Sequence, residues 1–287
     1  MTDSTDLLKW GRDKLKMSKI DSYKIDALLI LQNAACLSKE QIYFGNHKID
    51  DDQIKIYKKN IAKRSESVPV AKIIGSKNFY NDNFIVNYDV LDPRPDSEIL
   101  IEAFCNKYCD FNSNINVLEI GIGSGCLSLS LLKLYPNMNI YGVDISQKAL
   151  NVAQKNIDKM LLQDRIKLLK SDIFSNIIDN LRFDEIISNP PYIPSCEIAK
   201  LDRDIQYDPI IALDGGSDGL NFYRKIAEKS ANYLTKKGGV LVEIGINQDE
   251  TIIDIFKKNN FKILNSYKDL NNIIRVLSFI KNHDNII

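Results

Sequence analysis

From about residue 97 to the end of the chain, short apolar runs alternate with amphipathic stretches, and this alternation limits the fold more than any other feature. The runs lie at 116–120, 140–144, 166–169, 185–188 and 240–244, and helical periodicity covers 127–134, 146–161, 219–234 and 249–258. Parallel strands cannot be joined by a tight turn, so apolar runs spaced by helical segments specify strands linked through crossover helices. Two further runs, 261–264 and 273–280, follow each other with no clear helix between them and predict an antiparallel edge pair. The predicted class is α/β: a doubly wound, mostly parallel, seven-stranded sheet.

Upstream the texture differs. Residues 1–75 read as short helices, with Leu7, Leu8, Trp10 and Leu15 on one face, Ile25, Leu28, Leu29 and Leu31 on the next, and a third amphipathic stretch at 54–61. Asp50, Asp51 and Asp52 stand where a helix dipole favours acids, at the start of that third stretch. Residues 76–95 predict a β-hairpin connector, with Phe79-Tyr80 and Phe84-Ile85-Val86 as its arms and Asn81-Asp82-Asn83 as its turn. Residues 96–287 form the third part. A length of 287 residues suits one large domain plus a small one.

Charge and cysteine usage exclude several classes. Lys+Arg and Asp+Glu both total 38. That balance argues against a protein that coats nucleic acid, since such affinity comes from neutralising phosphates. No stretch approaches the roughly 18 apolar residues of a membrane span. The opening segment carries Asp3 and Asp6 and no long apolar core, which predicts no secretory signal. Five scattered cysteines (Cys36, Cys105, Cys109, Cys126 and Cys196) fit a reducing cytoplasm. Cys105 and Cys109 fall four apart on a predicted helix, but with only His47 and His283 elsewhere no metal-ligand set is complete.

The first strand of the α/β region runs into Gly121-Ile122-Gly123-Ser124-Gly125 and a helix. Such a loop lets backbone approach a ligand closely, and the helix start supplies free N–H groups. Its Gly-x-Gly-x-Gly spacing differs from the Gly-x-Gly-x-x-Gly of dinucleotide binders, which disfavours an NAD-dependent enzyme. Asp144 ends the second strand, where a carboxylate can accept both hydroxyls of a ribose, and Asp172 ends the third. Helix capping alone would account for either acid. Three polar strand ends at the crevice of a doubly wound sheet are more simply explained by a bound nucleoside.

The fourth strand leads into Asn189-Pro190-Pro191-Tyr192. A stiff turn is the plain reading of that tetrapeptide. Its place beside the nucleoside crevice suggests more. Prolines lack N–H groups, so the stretch offers acceptors and few donors. The Asn189 side-chain oxygen and the Pro190 carbonyl can hold the two hydrogens of a planar –NH2 group while Tyr192 packs on its plane.

The Gly-x-Gly-x-Gly loop and Asn-Pro-Pro-Tyr together resemble the S-adenosylmethionine-dependent amino-methyltransferases. Other segments narrow the resemblance to the bacterial release factor glutamine methyltransferases. These are Pro93-Arg94-Pro95-Asp96-Ser97-Glu98, Tyr207-Asp208-Pro209 with 212–220, and 268–276 with its Asp269-Leu270 and Arg275-Val276 pairs. Asp92, Ser97 and Asn272 depart from that family's usual residues. Asn tolerates positive φ, so the turn at Asn272 is expected to survive its replacement of Gly.

The resemblance implies a Rossmann-like methyltransferase domain, a helical substrate-recognition domain at 1–75, and S-adenosyl-L-methionine as cofactor. It implies cofactor contacts at Gly121, Ile122, Gly123, Ser124 and Gly125, ribose at Asp144, adenine between Asp172 and Ile173, and a methyl acceptor held by Asn189, Pro190, Pro191 and Tyr192. Asn189 also borders the cofactor, and Asn189, Pro190 and Tyr192 carry the chemistry. The implied substrate is the glutamine of the Gly-Gly-Gln motif in class 1 peptide chain release factors. A cytoplasmic monomer without metal, membrane or stable nucleic-acid contact is expected. The alternatives are an adenine or cytosine amino-methyltransferase acting on RNA or DNA, which should carry a basic groove, and a non-catalytic nucleoside-binding adaptor, which should have lost the tetrapeptide.

Overall fold

In a computed structural model of the chain, residues 2–44 and 47–282 are described; His283 lies outside them. The chain divides into two compact units, Met1–Ser76 with Leu201–Tyr207, and Lys77–Lys200 with Asp208–Ile287.

In the first unit a two-residue strand, β1 (Thr2–Asp3), leads into α1 (Ser4–Met17), α2 (Tyr23–Ala35) and α3 (Lys39–Phe44); β2 (Lys48–Ile49), α4 (Asp51–Ser65) and α5 (Val70–Ile74) follow. β2 pairs antiparallel with β1. Asp50 caps α4 with its side chain on the N–H groups of Asp52 and Gln53, and Gln53 reaches back to complete a capping box. Leu7, Leu8, Leu28, Leu31, Tyr57 and Ile61 meet in one apolar cluster. Of the side chains expected on the inner faces, Trp10, Ile25 and Leu29 are exposed instead. Gly11 faces Tyr57, and a Cβ there would sit 1.9 Å from the tyrosine oxygen. Arg64 is buried and bonds Asp26 at 2.7 Å and Asp204 at 2.9 Å, which ties the 201–207 segment to this unit.

The second unit contains β3 (Ser76–Phe79, entered from the first unit) and β4 (Asp82–Ile85), then α6 (Glu98–Lys107), β5 (Asn116–Ile120), α7 (Cys126–Leu134), β6 (Asn139–Asp144), α8 (Gln147–Met160), β7 (Ile166–Lys170) and β8 (Phe183–Ser188). It ends with α9 (Asn221–Tyr233), β9 (Leu234–Glu243), α10 (Asp249–Lys258), β10 (Phe261–Lys268) and β11 (Ile274–Lys281). The hairpin turn is Tyr80-Asn81, one step earlier than the sequence predicts, because Tyr80 adopts φ +54° and Asp82 already pairs. Cys109 falls beyond the end of α6, so it shares no helix with Cys105.

The seven-stranded sheet has the order β10-β11-β9-β8-β5-β6-β7. β7, β6, β5, β8 and β9 are mutually parallel. β11 runs against both neighbours, so the late pair is antiparallel as predicted, but β11 inserts beside β9 and only β10 stands at the edge. Alternate strand residues enter opposite cores. Val117, Ile187 and Leu241 join side chains of α6, α7 and α8 on one face; Leu118, Ile186 and Val240 join Tyr223, Ile226, Ile252 and Phe256 of α9 and α10 on the other. This is the doubly wound arrangement. Asn272 adopts φ +65° in the turn before β11, where Asp269 accepts the N–H groups of Asn271 and Ile273.

Arg64 supplies a stability test. Asp26→Ala strips a buried guanidinium of its buried partner and should cost about 3 kcal/mol in urea unfolding. Asp204→Ala removes a half-exposed partner and should cost about 1 kcal/mol or less. Equal losses in the two variants would contradict this account.

Candidate active site

The glycine loop leaves β5 in a conformation few side chains tolerate. Gly121 has φ +74° and donates its N–H to Val143 at 2.8 Å; Gly125 has φ +82° and caps α7. Asp144, at the end of β6, stitches the loop together. One carboxylate oxygen accepts the N–H of Gly123 at 3.0 Å and the other that of Ser146 at 2.8 Å. Burial pushes the Asp144 carboxyl up, and these backbone hydrogen bonds oppose the rise. A carboxylate accepts about four hydrogen bonds, so some acceptor capacity remains for a ligand hydroxyl. Beneath the loop lies Glu119, buried and accepting the N–H and hydroxyl of Ser128. Burial raises its pKa to about 8.

After β7, Asp172 is exposed, with an oxygen 3.9 Å from Lys225 Nζ on α9. Ile173 beside it is buried at φ +54°, a conformation that strains a β-branched residue. The strain sits at a cavity of about 370 Å³ bordered by Gly121, Gly123, Asp144, Asp172, Ile173 and Asn189. That size is ordinary for a small-molecule site.

The tetrapeptide after β8 is clamped from several sides. Ser188 donates its hydroxyl to the Ile120 carbonyl at 2.8 Å, which locks β8 to β5. Asn189 Nδ2 donates to Ser97 Oγ at 2.9 Å. Gln248 Nε2 donates to the Tyr192 carbonyl at 3.0 Å, and Ile193 exchanges backbone hydrogen bonds with Leu213 and Gly215. Gly219 is required here, since a Cβ would meet the Tyr192 oxygen at 2.3 Å.

Ile122, Ser124, Pro190 and Pro191 also line the cavity; Gly125 and Tyr192 do not. Gly125 acts as the helix cap. The Tyr192 ring is half-buried and packs on the second core cluster with Tyr223. Burial, with Glu243 nearby, pushes its hydroxyl up to about 12, so it stays protonated at neutral pH.

The 92–98 segment now has a defined role. Asp208, whose side chain is buried, takes the N–H of Asp92 at 3.2 Å and the guanidinium of Arg94. Asp96 pairs with Arg275 of β11 at 3.0 Å, and Glu98 accepts the N–H of Tyr80 at 2.8 Å. One short segment therefore joins the hairpin, the tetrapeptide, the 208–209 turn and the last strand. Sequence reasoning also missed Asn156 on α8. It is buried and bonds Ile85 N and O at 2.7 and 3.0 Å and the Ser124 carbonyl at 2.9 Å, tying β4 to the glycine loop. A buried Asn in an otherwise amphipathic helix was its one signal. Phe222 and Lys225 border the cavity from α9 and carried no motif.

Residues 6–75 match the PrmC N-terminal domain and residues 78–203 the methyltransferase small domain. The release factor glutamine methyltransferase of Geobacter sulfurreducens is 33% identical over 94% of this chain and 94% of that protein. The bifunctional methyltransferase of Rickettsia conorii is 34% identical over 95% of this chain, which spans 57% of that relative's length. Among solved structures, the 16S rRNA N2 G1207 methyltransferase of T. thermophilus, in complex with AdoMet and guanosine, matches 72% of this chain and 50% of its own at 18% identity and a TM-score of 0.50, a likeness of fold.

Glu119 makes the buried electrostatics measurable. Its folded pKa lies above the unfolded value, so its contribution to stability is full below about pH 4.5 and is lost as pH rises through about 8. Urea midpoints of the wild-type chain should therefore fall between pH 5.5 and 8.5 by more than those of Glu119→Gln. An identical pH dependence in both proteins would show that Glu119 titrates normally.

Proposed function

The chain belongs to the release factor glutamine methyltransferase family, and on that premise we propose that it methylates the side-chain amide nitrogen of the Gly-Gly-Gln glutamine in class 1 peptide chain release factors, with S-adenosyl-L-methionine as methyl donor. One observation carries the reading. The Asn189 amide gives its N–H to Ser97 and so turns its oxygen away from that bond, at a cavity whose next two residues are donor-free prolines.

The residues fit the cofactor. Asp144 keeps spare acceptor capacity at the end of β6 for ribose hydroxyls, and the backbone of Gly121 and Gly123 lies open on the cavity for the methionine part. Asp172 and Ile173 border the region left for the adenine. When bound, the cofactor supplies an electrophilic methyl group on a sulfonium.

An amide nitrogen is a poor nucleophile because its lone pair is delocalised into the carbonyl. Asn189 Oδ1 and the Pro190 carbonyl accept its two hydrogens, which fixes the amide plane and favours the positive charge that develops on nitrogen. Tyr192, protonated and packed on the second core cluster, backs the tetrapeptide that presents these acceptors and does not touch the amide plane itself. Among the described residues none at the site is placed as a strong base, and the proton lost from nitrogen passes to solvent. Release factors are cytoplasmic partners, and the helices of residues 1–75 are the part of the chain assigned to hold them.

The test is single-turnover transfer of labelled methyl to a release factor, with the site mapped by mass spectrometry and tRNA, rRNA and DNA assayed in parallel. Label on the glutamine amide supports the reading; label on a nucleic acid alone refutes it. Asn189→Ala should slow transfer about 10²- to 10³-fold while cofactor affinity stays within about tenfold, the scale of one lost hydrogen bond. Asp144→Ala should raise the cofactor dissociation constant about tenfold or more, the cost of lost charge-assisted hydrogen bonds. Unchanged affinity in Asp144→Ala would reject the ribose assignment.

A further inference from the structure

The Ser188–Val242 register places the next two residues, Asn189 and Glu243, side by side at the ends of β8 and β9. Glu243 is buried, and its Oε2 has no hydrogen-bond partner. Ser97, the residue before α6, borders the cavity. Its oxygen accepts from Asn189 Nδ2 at 2.9 Å, and Ser97 and Asn189 are the polar side chains near enough to the Glu243 carboxyl to hold its pKa down against burial. A carboxyl buried at a strand end, behind a polar site and only partly satisfied, costs stability that a packed apolar residue would not.

We infer that Ser97 and Glu243 are positioning residues that fix which way the Asn189 amide faces, so that its NH2 is held inside the sheet edge and its oxygen is presented to the methyl acceptor. An asparagine side chain has two faces of opposite hydrogen-bonding character, and a flip of 180° would put donors where the acceptor amide also brings donors. The turn alone does not choose between them. With its oxygen receiving from Asn189, the Ser97 hydroxyl has its hydrogen left for Glu243, and beside an ionised carboxylate that can only accept, the flipped amide would bring oxygen against oxygen. Burial raises the Glu243 pKa to about 7; the protonated acid keeps an acceptor oxygen for Ser97 but adds one donor, so the ionised form enforces the direction most firmly.

This rests on the proposed methyl transfer, and the experiment separates the two. Chain labelled with [15N]asparagine reports the side-chain NH2 of Asn189, assigned by its loss in Asn189→Asp, with no substrate present. In wild type the pair should exchange slowly with water. In Ser97→Ala and Glu243→Met it should exchange about tenfold faster or more, the scale of one lost hydrogen bond. Ser97→Thr and Glu243→Gln, which keep a hydroxyl and an acceptor oxygen, should restore slow exchange. In single-turnover transfer to release factor, Ser97→Ala and Glu243→Met should lose about 10- to 100-fold in rate, with cofactor affinity and the KM for release factor unchanged and the two conservative variants close to wild type. Slow exchange persisting in both Ser97→Ala and Glu243→Met overturns the inference, as does a loss that Ser97→Thr fails to rescue. If Glu243→Met does not fold, the Ser97 pair still decides. Wild-type chain that methylates no release factor would overturn the substrate reading alone, because the amide signals are read without it.

Discussion

Parallel pairing of five neighbouring strands is the constraint on which the site depends. Ile120 of β5 stands opposite Val143 of β6 and Ser188 of β8, Asp144 stands opposite Lys170 of β7, and Ser188 stands opposite Val242 of β9. One step further along, Glu243, Asn189, Gly121, Asp144 and Lys170 form a single row across the sheet. Residues separated by more than a hundred positions in sequence meet there because a strand's side chains and register leave them no other place. A slip of one residue at β8 would carry Asn189 off the row and turn Ile186 and Ile187 into the wrong cores.

Loops at such an edge are free to move unless something holds them, and here a short segment does. Asp208 keeps a nearly fully buried carboxylate because Arg94 and the N–H of Asp92 both answer it. The same segment gives Asp96 to Arg275, Ser97 to Asn189 and Glu98 to Tyr80. Asn156 does the matching work for the hairpin and the glycine loop. The polar groups at the site are therefore set before any ligand arrives, which is the condition under which hydrogen bonds speed a reaction.

Much of this was legible in the sequence for identifiable reasons. All seven strands were expected: the inner ones because a strand covered on both faces reads as a continuous apolar run, and the mostly exposed edge strand β10 from its short 261–264 run; 116–120 and 249–258 match β5 and α10 to the residue. Asn189, Asp144 and the glycine loop were found because strand ends in such sheets converge. Other features were hidden because the chain does not mark them locally. β11 inserts between β9 and β10, and no periodicity encodes that order. Tyr80 takes φ +54° in the hairpin turn although three polar residues follow it. Glu243 reads as one acid among many until the register sets it beside Asn189. Tyr192, expected over the acceptor plane, packs instead behind the loop.

The chemistry asked of this edge is modest: two acceptors, a spare carboxylate and an absence of competing donors. On the proposed transfer to a planar amide, correct presentation is what the site has to supply, and among the described residues that border the cavity none is placed as a strong base. The most direct measurement is a crystal structure of the chain with S-adenosylhomocysteine and a peptide containing Gly-Gly-Gln. The account predicts the glutamine amide nitrogen within about 3.2 Å of both Asn189 Oδ1 and the Pro190 carbonyl, with Asn189 Nδ2 still on Ser97. A glutamine bound through its carbonyl to Asn189 Nδ2, or an Asn189 amide turned away from Ser97, would contradict it.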